Sequence, residues 1–148
     1  MKHLSLIFIA ILSISSCSTY SEDEMNEFDE KIQAYIKKKK IDCEESGSGL
    51  YYRIDSTGDG EFIQAKDSVY ITYKGSFLSG KTFENQKKPI AFRVDDLITG
   101  WKEVLYKLKE GGSAFIIIPP HLGYGDRKLD DIPENSILVY QLSVDKVI

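Results

Sequence analysis

Ser68-Val69-Tyr70-Ile71-Thr72-Tyr73-Lys74-Gly75-Ser76-Phe77 is the stretch whose reading decides the fold. Val69, Ile71 and Tyr73 recur at every second position, the period that turns one face of a β-strand toward a core. Leu78-Ser79-Gly80-Lys81 follows as a turn. Working outward, Leu50-Tyr51-Tyr52-Arg53-Ile54 is a β-prone run closed by Thr57-Gly58-Asp59-Gly60. Residues 90–94 and 114–118 read as short strands, and residues 137–147 as a long closing strand. Residues 101–108 are the single helical stretch between them, with Gly111-Gly112 as its C-cap. Several strands and one short helix predict an α+β domain, an antiparallel sheet with the helix covering one face.

Upstream of the sheet the period changes to 3.6. Ser21 and Glu24 have the spacing of a capping box, and an acidic first turn suits the helix dipole. Met25, Phe28, Ile32, Tyr35 and Ile36 share one helical face, and Lys37 to Lys40 close the far end. This predicts an amphipathic helix over residues 22–39. Its stripe fits docking on its own domain or pairing with a copy of itself as a weak homodimer; it covers only about two heptads, short for a coiled coil, so docking on its own domain or a loose spacer is the favoured reading. Ser46-Gly47-Ser48-Gly49 reads as a linker.

The first residues read as an address. Met1-Lys2-His3 is basic, Leu4 to Ile14 is apolar, and Ser15-Ser16 is small. The run is shorter than the ~20 residues of a membrane-spanning helix and has the plan of a secretory signal peptide. Ile14-Ser15-Ser16-Cys17 resembles the lipobox of bacterial lipoproteins. That resemblance implies cleavage before Cys17, lipidation of Cys17 and a tether to the membrane. The expected division is a signal peptide at 1–16, a tether and helix at 17–49, and a folded domain at 50–148. The expected location is the cell envelope, at the periplasmic face of the outer membrane. The run Ser21-Glu22-Asp23-Glu24 also resembles surface-export signals, so exposure on the outer surface stays open.

Composition narrows the function. The 148 residues carry 19 Lys+Arg and 23 Asp+Glu, a net charge of −4. A chain without a basic face is a poor partner for nucleic acid. Two cysteines and two histidines are too few for a zinc site, which typically takes about four ligands, and no cofactor is expected. With Cys17 lipidated, Cys43 reads as a structural or incidental thiol. His121 reads as a surface loop residue.

Six strings carry the argument further: Val69–Gly75; Gly80-Lys81-Thr82-Phe83-Glu84; Pro89-Ile90-Ala91-Phe92; Leu97-Ile98-Thr99-Gly100-Trp101; Pro119-Pro120-His121-Leu122-Gly123-Tyr124-Gly125; and Ile132-Pro133-Glu134-Asn135-Ser136-Ile137-Leu138. In this order they closely resemble the FKBP-type peptidyl-prolyl cis-trans isomerases, over roughly residues 50–148. Together with the lipobox and helix, the chain is similar to the lipid-anchored bacterial branch, including the isomerase-like lipoproteins associated with gliding motility.

The resemblance implies a sheet wrapped around the short helix and an aromatic pocket for a proline ring. Trp101 would be the floor, with Tyr73, Phe83, Phe92, Leu97, Ile98 and Tyr140 as walls. The Ile98 N–H and the Tyr124 hydroxyl would hold substrate carbonyls. The implied partners are proline-containing segments of exported polypeptides, whose folding the enzyme would assist. Four departures stand out. Glu84 replaces the family's usual Asp, and the segment 85–88 reads as a shortened loop without the usual Arg, leaving Lys87 and Lys88 as candidate partners for Glu84. Ile90 stands where several relatives have Phe. The loop from Asp126 to Asp131 has no Gly after Gly125 and carries several charges. These departures leave a second reading open, a proline-segment binding module or holdase with little turnover.

Overall fold

The structure, a computed structural model, describes residues 20–148; the segment 1–16, read above as a signal peptide, and Cys17 lie outside the described residues. Helix α1 (Glu22–Lys39) precedes β1 (Glu44–Glu45), β2 (Tyr51–Ser56), β3 (Ser68–Phe77) and β4 (Thr82–Arg93). A 3-10 turn (Val94–Asp96) leads into α2 (Thr99–Leu105). Then come β5 (Ser113–Ile118), a second 3-10 turn (Pro120–Leu122) and β6 (Leu138–Val147). The strands form one antiparallel six-stranded sheet in the order β1-β2-β5-β6-β3-β4. The fold class is therefore α+β, with a sheet around a short helix and an amphipathic helix ahead of it.

Helix α1 begins where its cap places it. The Glu24 N–H donates to Ser21 Oγ at 3.3 Å, and the Ser21 N–H donates to the Glu24 carboxylate at 2.8 Å. These two bonds satisfy donors that a helix start leaves open. The helix stops at Lys40, whose left-handed backbone (φ 53°) lets its N–H close on the Ile36 and Lys37 carbonyls. Between these ends Phe28 and Ile32 are buried, and they pack with Tyr51, Phe115, Ile117, Ile137 and Val139 from the outer side of the sheet. The Tyr51 hydroxyl donates to Asp29 at 2.6 Å and Tyr20 donates to Asn135 at 2.7 Å, fastening both ends of the contact. Helix α1 thus docks on the sheet of its own chain.

The inner side packs against α2. Trp101, Val104 and Leu105 meet Leu50, Val69, Ile71, Ala114, Ile116, Ile118, Leu138 and Leu142 in the main core. The contact is close: a Cβ on Gly100 would stand 2.7 Å from Ile118. The apolar run at 114–118 thus serves both faces, Ala114, Ile116 and Ile118 inward and Phe115 and Ile117 outward.

Four local expectations are corrected. The segment 46–49 is a hairpin turn between β1 and β2, not a linker: the Ser46 N–H donates to the Leu50 carbonyl and the Gly49 N–H to the Ser46 carbonyl. His121 is half-buried, and its Nε2 lies 2.8 Å from the Ser48 carbonyl, pinning that turn. Helix α2 starts at Thr99 and ends at Leu105; Leu108 closes a 3-10 bond to Leu105, and Gly111 lies beyond the helix. Residues 85–88 belong to β4, which bulges: Ile71 pairs with Ile90 but Tyr73 pairs with Gln86, so β4 carries two extra residues there. Pro89 is tolerated because β4 is an edge strand.

Candidate functional site

Where α2 meets the β3–β4 end of the sheet, a cavity of about 230 Å³ opens. Its lining is Tyr73 from β3, Glu84 and Phe92 from β4, Asp96 from the 3-10 turn, Leu97, Ile98, Trp101 from α2, Tyr124 from the loop after the second 3-10 turn, and Tyr140 from β6. Eight of the nine site residues expected from the sequence therefore converge here. Phe83 does not line the cavity. It stands behind it, edge-on to Tyr140 at 5.6 Å and tilted against Phe77 at 4.9 Å. Gly75 makes that position available, since a Cβ there would come within 2.5 Å of Phe83 and 2.8 Å of Tyr140. Asp96 is the lining residue that sequence reading missed; it sits two residues before Ile98 in the quoted fourth string's approach, where no hydrophobic pattern marks it.

Trp101 is the floor of the cavity and is 4% exposed. Tyr73 and Tyr140 meet its indole edge to face at 5.0 and 5.1 Å, with Phe92 at 6.0 Å. Each such pair contributes about 0.5–1.5 kcal/mol beyond its buried area, so the indole is clamped from three sides. Its Nε1 is buried and has no hydrogen-bond partner among the described residues. The Ile98 backbone occupies the N-cap of α2, where N–H groups have no intrahelical acceptor.

The polar rim is set by Glu84. The Tyr73 hydroxyl donates to its carboxylate at 2.6 Å. The longer Glu side chain thus still reaches the tyrosine of the neighbouring strand. Neither Lys87 nor Lys88 pairs with it; among the described residues the ion pairs are Lys31–Glu27 and Arg53–Asp55. Burial, then the bond to Glu84, pushes the Tyr73 phenol well above its ordinary range. Tyr140 is pushed up by burial and by the charges around Tyr124 and Glu84. Tyr124 is raised by burial first and by Glu84, with Tyr140 and Arg127 pulling the other way. All three phenols are neutral hydrogen-bonding groups at neutral pH.

Tyr124 also borders a second, larger hollow of about 570 Å³, formed with Tyr20, Glu22, Met25, His121 and Arg127. Among the described residues no three His, Cys, Asp or Glu side chains gather as a metal site. Nothing in the cavity is arranged as a nucleophile with its base. What it can do is enclose a small apolar ring, strip water from the bond next to it and present a few neutral donors.

Comparison with known proteins bears on the family and the fold. The pattern of the FKBP-type peptidyl-prolyl cis-trans isomerases matches residues 59–145. The chain is 38% identical over 131 residues to FkpA of Buchnera aphidicola subsp. Schizaphis graminum, covering 83% of this chain and 52% of that protein. It is 35% identical over 135 residues to FkpA of Escherichia coli K12, covering 88% and 50%. The chain spans about half the length of the curated relatives it matches. Among solved structures, Escherichia coli FkpA superposes with a TM-score of 0.74 at 34% identity, covering 84% of this chain and 61% of that one. AtFKBP13 superposes at 0.65 with 27% identity, covering 72% and 98%.

Proposed function

The chain belongs to the FKBP-type peptidyl-prolyl cis-trans isomerases, and from that premise we propose that its aromatic cup catalyses rotation about X-Pro bonds in exported polypeptides. The amide C–N bond has partial double-bond character and a rotational barrier of about 18–20 kcal/mol. The two X-Pro isomers differ by only ~0.5–1 kcal/mol yet exchange over tens to hundreds of seconds. Rotation breaks the resonance, and the twisted amide is less polar than the planar one. A dry cup therefore favours the twisted state, and about 1.4 kcal/mol of such preference gives each tenfold in rate.

In this reading the proline ring rests on Trp101 between Tyr73, Phe92 and Tyr140. The Ile98 N–H and the Tyr124 hydroxyl hold the flanking carbonyls. Glu84 holds Tyr73 in place, and Phe83 supports Tyr140 from behind. The observation that carries the proposal is the clamped indole at the bottom of an open cavity. A peptide isomerisation assay tests it. Trp101→Ala is expected to abolish measurable turnover. Tyr124→Phe is expected to keep the fold and to lose about tenfold, the value of one hydrogen bond of ~1.5 kcal/mol. Unchanged turnover in Trp101→Ala sinks the assignment.

The larger hollow beside Tyr124 favours a second reading, capture of unfolded segments without turnover. Suppression of aggregation by a Trp101→Ala variant inert in the peptide assay would support it. We further infer that residues 1–16 direct export and that lipidated Cys17 tethers the mature chain to the envelope, where Ser15-Ser16-Cys17 supports cleavage before the thiol. Cys17→Ser is expected to move the protein from the membrane fraction to the soluble one; retention in the membrane fraction refutes the tether.

A further inference from the structure

The cup is apolar inside and acidic at its mouth. Among the described residues that line it, Glu84 and Asp96 are the two charged side chains, and both are exposed. Neither makes an ion pair within the described residues. Arg127, the cation near Tyr124, does not line the cup; its Nε donates to the Tyr124 carbonyl at 3.3 Å, and at the Tyr124 hydroxyl its charge opposes that of Glu84, which acts more strongly there. Glu84 is held in place by the Tyr73 hydroxyl at 2.6 Å, so its charge does not swing away into solvent. Its field reaches across the cavity, where it helps keep Tyr73, Tyr124 and Tyr140 protonated. Asp96 comes from a different element, the 3-10 turn before α2, so the two carboxylates arise from separate parts of the chain.

We propose that Glu84 and Asp96 set substrate preference, selecting segments with Lys or Arg beside the proline over segments with Asp or Glu. The inference rests on the isomerase reading of the same cup and names the substrate class that cup takes. Lys and Arg suit the mouth twice: their apolar stems lie on its rings and their charged heads stay in water beside the carboxylates. A unit charge about 6 Å from a carboxylate in water gains or loses roughly threefold in affinity, with the sign set by its charge. Two carboxylates, partly screened, make the Lys-to-Glu difference about tenfold at low ionic strength.

The test uses three otherwise identical peptides with Lys, Leu or Glu before proline. Isomerisation rates are expected in the order Lys, Leu, Glu, spanning about tenfold at low salt and collapsing near ~1 M salt, where charges are screened beyond about 3 Å. Asp96→Asn and Glu84→Gln should each reduce the Lys-to-Glu ratio to about threefold, and the double variant should bring it close to one. A ratio that both variants leave unchanged, or equal rates for the three peptides, overturns the proposal. The Leu peptide separates the two layers of argument: its turnover tests the isomerase reading alone. Should all three peptides go unturned, their binding measured by Trp101 fluorescence still decides the charge preference, and binding without Lys-over-Glu order overturns it.

Discussion

Along β5, Ala114, Ile116 and Ile118 face the core under α2, while Phe115 and Ile117 face the core under α1. The same strand feeds two interiors that end differently. On the outer side α1 has 18 residues, about 27 Å of helix at 1.5 Å per residue. It closes over Ile117, Val139 and Tyr51 and leaves them buried. On the inner side α2 has seven residues, about 10 Å. Strands lie ~4.8 Å apart, so so short a helix cannot cover six of them. The uncovered end, at β3 and β4, is where the aromatic residues stand up and the cavity opens. One face is sealed because its helix is long; the other carries a cup because its helix is short.

The largest test of this contrast falls on the sealed face. Ile32 is 1% exposed, and Ile32→Ala leaves a void under α1. The expected loss is about 2–4 kcal/mol in urea unfolding, while peptide turnover before the unfolding transition changes little. A silent substitution would mean that α1 is not docked in solution, and the two-faced description would fail.

Alkaline pH acts on both faces. Tyr73, Tyr124 and Tyr140 in the cup, and Tyr51 and Tyr20 under α1, all have phenols raised above their ordinary value. A raised phenol stabilises the fold fully below its unfolded pKa of about 10, and that contribution is lost as pH rises through its folded value. Stability should therefore hold at neutral pH and fall above ~10. Tyr51→Phe removes one outer contribution and should flatten the fall while leaving the alkaline response of Trp101 emission in place. A Trp101 response that disappears in that variant would show the two faces to be one cooperative unit.

The smallest effect is at the cap. Ser21→Ala removes the Ser21 oxygen that accepts from Glu24. A loss of ~1 kcal/mol is expected, read as an earlier unfolding midpoint with unchanged turnover. An effect on turnover as well would show that the start of α1, which borders the hollow beside Tyr124, reaches the cup.

Much of this architecture was legible. The capping box and the 3.6 period gave α1 its bounds, because both signals come from the helix itself. The unbroken apolar run Ala114–Ile118 held the clue that the sheet is covered on both faces, although pattern reading assigned a helix to one face only. The cup lining came from the order of six short strings, and its convergence in space could not be read from spacing. Three features hid for physical reasons. Ser46–Gly49 has the composition of a flexible tether, and only its bonds to Leu50 and His121 make it a turn. Residues 84–88 are polar on both sides because an edge strand meets water on both, so no alternation marks them. Phe83 carries the same motif as the wall residues, but the space above Gly75 draws it behind Tyr140.

The bulge in β4 has a wider effect. This strand supplies Glu84 and Phe92 to the cup and is also the open margin of the sheet. Unfinished chains expose backbone that readily zips onto any straight margin. Two surplus residues, a ring without an N–H at Pro89 and the charges of the consecutive Lys87 and Lys88 deny them a straight one. The margin beside the cup thus resists extension by a seventh strand.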